Sequence, residues 1–203
     1  EVIALTATIF REGHDALGAH ALLFDDKGKE IARTPMREIW RGGDRFEGTI
    51  TIPARGDFHY AIEAFDDPFA TWEHDSEIKI AADIDAELCC TIGKLIFEEK
   101  LEEDSAAKKF LAPAIKALTD TSLAPANRFS QATTPEIRAY FAANPLRRLV
   151  SQSELIPVRA DRDRALVGAW YEFFPRSEGA VLDAHGRITS GTFATAAKRI
   201  PAV

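Results

Sequence analysis

The sequence predicts a β + α fold, in which an antiparallel β-sandwich is interrupted by a helical bundle and followed by one strand–helix unit. Three changes of pattern support this prediction. Apolar residues alternate with period two up to about residue 82, and they recur with a helical period from 83 to 153. From residue 161 onward an aromatic segment precedes a loop and a second helical pattern.

The first 82 residues have the pattern of short strands separated by turns. The turn-forming stretches DDKGK, RGGD, ARGD and DDP recur between alternating segments. This spacing is typical of an immunoglobulin-like sandwich, which takes about 100 residues. The predicted strand faces are Ile3, Leu5, Ala7 and Ile9; Phe46, Ile50 and Ile52; Phe58, Tyr60 and Ile62; and Trp72, Ile78 and Ile80.

The segment from 83 to 153 has the apolar spacing and the start signals of helices. Thr134 before Pro135 is a helix start, and Asn144 before Pro145 separates two helices. We therefore predict a helical bundle, which becomes an insertion if residues 154–160 return as a last strand of the sandwich. The first helix is predicted from the spacing of Ile84, Leu88, Ile92 and Leu95.

The zone from 161 to 203 contains the stretch GAWYEFFPRSEG, which predicts a strand with four aromatic side chains. Thr192 then has the position of a helix cap. A strand, a loop and a helix form one unit of a (β/α)8 barrel, so this zone predicts the incomplete start of such a barrel. A strand without neighbours leaves its backbone groups unpaired, and we expect exposed apolar surface beyond about Leu166.

Composition restricts the classes of partner. The formal net charge of -7 argues against a nucleic-acid binder, and no apolar run approaches the roughly 20 residues that span a bilayer. Cys89 and Cys90 are adjacent, where a disulfide would be strained, so we expect reduced thiols and a cytoplasmic protein. The chain begins at Glu1 without an initiator methionine and ends at Val203 within a helical pattern, so we expect part of a longer protein.

Six motifs, in order along nearly the whole chain, carry a resemblance to a known enzyme family. They are REGHDALGA at 11–19, DPFATWEHD at 67–75, LTDTSLA at 118–124, NPLRRLV at 144–150, DRDRALVGAWYEFFPRSEGA at 161–180 and SGTFATAAKRIPAV at 190–203. With these motifs the chain resembles the N-terminal region of bacterial α-1,4-glucan:maltose-1-phosphate maltosyltransferases. That family is a branch of the α-amylase superfamily, glycoside hydrolase family 13.

The resemblance implies a multidomain, homodimeric enzyme without a cofactor that transfers a maltosyl unit from α-maltose 1-phosphate to a glucan with retention. Retention requires two carboxyl groups about 5 to 5.5 Å apart. In the superfamily both come from later barrel strands, so we predict no catalytic residue in this chain and no activity for the chain alone. The scattered histidines also predict no metal site. The expected role is to support the barrel and the dimer.

Few residues are candidates for contact with substrate. Arg176 and Ser177, and less favourably Glu172, would lie near the complete active site, because they follow or belong to the aromatic strand. The REGHDALG segment is predicted to be a loop held by side-chain hydrogen bonds or a contact to the barrel.

An alternative hypothesis is a glucan-binding module that stacks sugars on exposed aromatic rings. The candidates are Trp40, Phe69 and Trp72, and stacking requires two rings on one solvent-exposed face. The predicted strand alternation, however, places Trp72 with His74 on the buried face and Glu73 with Asp75 in solvent. The sequence therefore leaves the binding module and the supporting role open.

Overall fold

Five strands open the chain, five helices follow, and two further strands return to the sheet. The computed structural model describes residues 1–40, 42–168 and 170–202, and the chain divides into two compact units, Glu1–Ala160 and Asp161–Val203. The elements of the first unit are β1 (Val2–Thr8), β2 (Leu17–Phe24), β3 (Glu30–Glu38), β4 (Arg45–Thr51), β5 (Gly56–Asp66), α1 (Pro68–Ala81), α2 (Ala86–Glu103), a 3-10 turn (Ser105–Ala107), α3 (Lys108–Thr119), α4 (Pro125–Ala132), α5 (Pro135–Ala143), β6 (Arg148–Gln152) and β7 (Ile156–Ala160).

The strands form an antiparallel sheet in the order β1-β4-β3-β2-β5-β6, with β7 also pairing with β5. Two strands hold this arrangement together. Most of β3 pairs with β2, whereas its last residues, Arg37 and Glu38, pair with β4. The 11-residue β5 is long enough to pair with β7 near its start and with β6 near its end. The chain therefore returns to the sheet after the helices.

One apolar core belongs to the strands, as the period-two pattern predicts. Leu5, Phe46, Ile50 and Phe58 are buried in it, and Ile3 and Tyr60 pack against its edge. The predicted strands at β1, β4 and β5 are therefore confirmed, and the coarse prediction of an antiparallel sheet combined with helices is confirmed with them.

A second core lies among the helices and is rich in aromatic rings. Phe69 and Phe141 stack with their centroids 4.0 Å apart, and Trp72 and Phe97 meet edge to face at 5.8 Å. The Trp72 Nε1–H donates to the carbonyl oxygen of Cys89 at 2.8 Å, which joins α1 to α2. Cys89 and Cys90 are free and buried.

The strand predicted from Trp72 to Ile80 is wrong, because these residues belong to α1. The Asp67 side chain accepts a hydrogen bond from the Ala70 N–H, and Pro68 stands in the first turn, so a helix begins here. The predicted boundary of the sandwich at residue 82 therefore lies beyond the last residue of β5. Glu73 and Asp75 are helical side chains, not one face of a strand.

The second unit contains a hairpin of β8 (Val181–Leu182) and β9 (Ile188–Thr189), the helix α6 (Phe193–Ala197) and a final 3-10 turn (Ile200–Ala202). Thr192 caps α6 with a reciprocal side-chain pair to Thr195, which confirms the predicted helix start.

The strand predicted for the aromatic stretch is wrong for residues 170–174, which have no regular secondary structure. A strand needs partners for its backbone N–H and C=O groups, and no strand pairs with these residues within the part of the chain that the structure describes. Leu166, Trp170 and Phe174 are strongly exposed, as expected for this zone.

Candidate functional site

A cleft of about 700 Å³ in the first unit combines charged side chains from the sheet and from the helical segment. We call it the sheet–helix cleft. Its lining includes His20 of β2, Arg33 of β3, Glu63 of β5, Lys100 of α2 and Arg147, which precedes β6. The β2–β5 register sets His20 directly opposite Glu63, so strand pairing brings the first two groups together.

Glu63 is buried at the centre of this cleft and accepts three hydrogen bonds on one oxygen. Its Oε1 lies 3.2 Å from His20 Nδ1 and 2.8 Å from Arg147 Nη1, and it also accepts from Arg33. Arg33 in turn donates from Nε to Glu30 Oε1 at 3.0 Å. The cluster therefore links three adjacent strands to the segment that follows α5.

The pKa shifts in the cluster follow from burial and from these contacts. Burial lowers the pKa of His20 and favours its neutral form, against the opposing effect of the Glu63 hydrogen bond. Burial opposes ionisation of Glu63, but the hydrogen bonds from Arg147, His20 and Arg33 outweigh it, so the pKa of Glu63 is lowered. The Glu63 carboxylate is therefore ionised near neutral pH and paired with the guanidinium groups of Arg33 and Arg147. This arrangement is suited to stabilising the fold.

Sequence reasoning did not single out this cluster. A signal was present in the alternation of β5, where Glu63 occupies a position in phase with the buried residues Ala61 and Phe65. Arg147 belongs to the NPLRRLV motif but lies 84 residues from Glu63 in sequence. Only the return of the chain to β5 brings the two together.

A second cleft, of about 400 Å³, is lined by the REGHDALG segment, the first half of α1 and the β3–β4 connection. Arg11 pairs with Asp66, and it lies 3.5 Å from Asp15. The Ala16 N–H donates to Thr71 Oγ1 at 2.9 Å, and the Asp67 N–H donates to the Ala16 carbonyl oxygen at 2.9 Å. Hydrogen bonds therefore hold the loop against the start of α1, in agreement with the predicted loop.

The predicted substrate-proximal residues lie in the second unit. Arg176 and Ser177 share one exposed turn, and Glu172 lies on the irregular stretch before it. The Gly191 N–H donates to the Arg176 carbonyl oxygen at 2.8 Å, and Thr195 Oγ1 donates to the Glu178 carbonyl oxygen at 2.6 Å. Sequence reasoning missed these two anchors, which fix the turn to the segment that begins α6.

The aromatic residues predicted to stack on sugars do not share an exposed face. Phe69 and Trp72 are each only 4% exposed, because they pack in the helical core. The stacking prediction is therefore wrong for these two residues, whose rings contact Phe97 instead of solvent. Trp40 lies near the β3–β4 turn and is 60% exposed.

Within residues 1–40, 42–168 and 170–202, no group of three or more His, Cys, Asp and Glu side chains is placed to hold a metal ion. Over the same ranges, no helix combines the length and the apolar character needed to cross a membrane.

Fold and clefts together define the first unit as a mixed β/α domain whose buried carboxylate is held by cationic side chains. Comparison with known proteins then gives the family. The family model described as α-1,4-glucan:maltose-1-phosphate maltosyltransferase, domain N/S, matches residues 1–162. The chain belongs to this family.

Individual relatives agree with this assignment. The chain is 45% identical to α-1,4-glucan:maltose-1-phosphate maltosyltransferase 2 of Streptomyces coelicolor, over the whole chain and 30% of that protein. It is 41% identical to the Arcanobacterium haemolyticum maltosyltransferase over 97% of the chain and 29% of that protein. The Corynebacterium glutamicum enzyme is 31% identical over the whole chain and 31% of its own length. The chain thus spans less than a third of each of these relatives.

Proposed function

We propose that the chain is the N-terminal, non-catalytic part of a retaining maltosyltransferase that extends α-1,4-glucans from α-maltose 1-phosphate. Its role is to support a catalytic (β/α)8 barrel and a homodimer in the cytoplasm. The observation that carries the proposal is the match of the N/S domain model to residues 1–162, together with relatives whose printed names state this activity.

The proposal includes a finer description of the fold. We assign the strands to an immunoglobulin-like sandwich, because β3 pairs with β2 and then with β4 and the apolar core draws on β1, β2, β4 and β5. We assign the helices to an insertion, because β6 and β7 return to β5 after them. The proposed domains are the sandwich, the helical insertion and the zone 161–203. Because α1 begins at Pro68 and β6 at Arg148, we place the insertion at about 68–147 instead of the predicted 83–153.

The second unit is proposed as the start of the barrel. Support comes from the capped α6 and from the turn that carries Arg176 and Ser177. We place these two residues, and Glu172, near the active site of the complete enzyme, where they serve chiefly as part of the barrel rim.

A transfer assay tests the proposal. The purified chain, incubated with α-maltose 1-phosphate and maltoheptaose, is expected to release no phosphate and to leave the glucan unextended. The matched control is the full-length Streptomyces coelicolor relative, which shares 45% identity with the chain, under the same conditions. Phosphate release or glucan extension by the chain alone would refute a non-catalytic role.

Glucan binding is a second candidate function, favoured by the exposure of Trp40. Of the three candidate rings only Trp40 is exposed, so we expect weak binding. Native electrophoresis in gels containing glycogen measures this binding directly. Retardation of the chain that is lost in Trp40→Ala would support the binding module, and equal mobility with and without glycogen would exclude it.

A further inference from the structure

The sheet–helix cleft contains a buried lysine whose hydrogen-bonding capacity is only partly used. The Lys100 side chain of α2 is 7% exposed, and its ammonium group has three N–H donors. Its Nζ lies 3.1 Å from Glu103 Oε2 and 3.5 Å from the Pro145 carbonyl oxygen, and the second distance is at the outer limit of a hydrogen bond. Counting only the described residues, these acceptors leave at least one N–H of Lys100 for a ligand in the cleft.

The buried Glu63 also has an oxygen atom available in the same cleft. His20, Arg33 and Arg147 all contact its Oε1, so among the described residues Oε2 keeps its lone pairs for another donor. The Glu63 side chain is only 7% exposed, which means that packing fixes the direction of this acceptor. The inner wall of the cleft therefore offers a cationic donor and an anionic acceptor to one ligand.

The charges that line the cleft restrict the chemistry of that ligand. Among its described lining residues, the three cations Arg33, Lys100 and Arg147 outnumber the two carboxylates Glu63 and Glu103 by one. The guanidinium groups and Glu103 are partly exposed, so a molecule from solvent can reach them. An anionic group fits the excess of cations, whereas the carboxylates need hydroxyl or other donors opposite them. A ligand with both kinds of group matches the cleft better than a bare anion or a neutral sugar.

We propose that the sheet–helix cleft binds a phosphorylated sugar. The phosphate group accepts hydrogen bonds from Lys100 and Arg147, because Lys and Arg form strong charge-assisted bonds to phosphate. The sugar hydroxyls donate to Oε2 of Glu63. The cleft volume of about 700 Å³ lies within the roughly 300–1,000 Å³ that small-molecule sites have, so a sugar fits beside the phosphate. The site binds its ligand without any transfer step and does not depend on the proposed reaction.

Calorimetric titration of the chain with D-glucose 6-phosphate tests this site. We expect a dissociation constant below about 1 mM. Glucose and inorganic phosphate, titrated separately, are each expected to bind at least about tenfold more weakly, because each makes only one of the two sets of contacts. Equal affinity for inorganic phosphate would overturn the assignment of a sugar, and no binding of glucose 6-phosphate would overturn the site itself.

A charge placed at the rim of the cleft gives a variant that leaves the core intact. Val150 of β6 lines the cleft and is 49% exposed. Val150→Glu is expected to weaken glucose 6-phosphate binding about tenfold or more, because its carboxylate repels the phosphate. Val150→Gln is the matched control, since glutamine has nearly the same size and no charge. It should bind within about threefold of the unmodified chain.

A substitution at Lys100 tests the proposed phosphate donor directly. Lys100→Met keeps an apolar side chain in the buried position but removes the ammonium group, and it is expected to weaken binding about tenfold. Lys94→Met, on the same helix but outside the lining of the cleft, is the control and should bind normally. Circular dichroism establishes that each variant is folded, and Val150→Glu decides the question if Lys100→Met does not fold.

Affinity that neither Val150→Glu nor Lys100→Met reduces would contradict binding in this cleft. Failure of this proposal leaves the transfer proposal untouched, because phosphate release from α-maltose 1-phosphate tests that reaction separately.

Discussion

At the scale of single residues, His20 and Glu63 contribute to how the stability of the first unit depends on pH. Burial lowers the pKa of His20 from its ordinary value, so near pH 6 the unfolded chain binds more protons at this residue than the folded chain. The free energy of unfolding therefore falls as the pH drops through the ordinary pKa of histidine, about 6.5. Glu63 has a lowered pKa in the folded state, so the stability it contributes is lost at lower pH still.

We expect the chain to lose stability between pH 7 and pH 5, and we expect His20→Gln to flatten this dependence. Glutamine keeps a polar group opposite Glu63 but does not titrate. Urea unfolding of both proteins at several pH values measures the slope. An unchanged slope in His20→Gln would show that other groups dominate the acid response.

Individual residues differ in how far their surroundings can be predicted from sequence. The cap at Thr192 was predictable because its partner, Thr195, lies three residues away. The environment of Glu63 was not, because its partners His20 and Arg147 lie 43 and 84 residues away. Rules that relate residues close in sequence predict turns and caps. The buried cluster around Glu63 depends instead on the β2–β5 register and on the pairing of β6 with β5 after the helices.

At the scale of elements, the contact between α1 and α2 depends on a glycine. A Cβ atom added at Gly93 would lie 2.3 Å from the Trp72 ring, far inside van der Waals contact. The absence of a side chain at this position therefore lets the indole lie against α2 and donate to Cys89. Trp72 also meets Phe69 and Phe129, so a displaced indole would disturb several rings.

We expect Gly93→Ala to destabilise the chain by about 1 to 3 kcal/mol, since overpacking a core has this cost. In an exposed helical position the same change would stabilise by about 1 kcal/mol, so the sign of the effect identifies the contact. Thr91→Ala, two residues earlier on the exposed side of α2, is the control and should be neutral or slightly stabilising, because alanine has the higher helix propensity. Denaturant unfolding measures both, and a stabilised Gly93→Ala would contradict the packing argument.

Strands were predictable where every second residue is apolar and lies on the buried face, as in β1, β4 and β5. The strand expected from Trp72 to Ile80 failed because Ile78 and Ile80 happen to be two residues apart, whereas the buried residues Phe69, Trp72 and Ser76 follow a helical spacing. Burial within a helical core thus outweighed a short period-two pattern. The strand expected near Trp170 failed for another reason, since pairing partners decide whether an aromatic segment becomes a strand.

At the scale of the whole molecule, the chain divides after Ala160, at the end of β7. The residues from 161 to 168 that follow are all exposed, and they include the trypsin sites Arg162 and Arg164. Each unit has its own internal hydrogen bonds, including the Glu63 cluster in the first and the Thr195 anchor in the second. The exposed connection is therefore the place where a protease should cut first.

We expect limited trypsin digestion to cleave first after Arg162 or Arg164 and to leave a fragment of the first unit that resists further digestion. Cleavage by trypsin requires local unfolding of several residues, which costs little where side chains are exposed and no strand or helix is formed. Mass spectrometry identifies the product, and its thermal unfolding should keep the main transition of the intact chain. The double substitution Arg162→Gln and Arg164→Gln should slow its appearance. Initial cuts at Lys108 or Lys109, at the start of α3, would contradict the expectation, because they would mean that the helical segment opens before the connection.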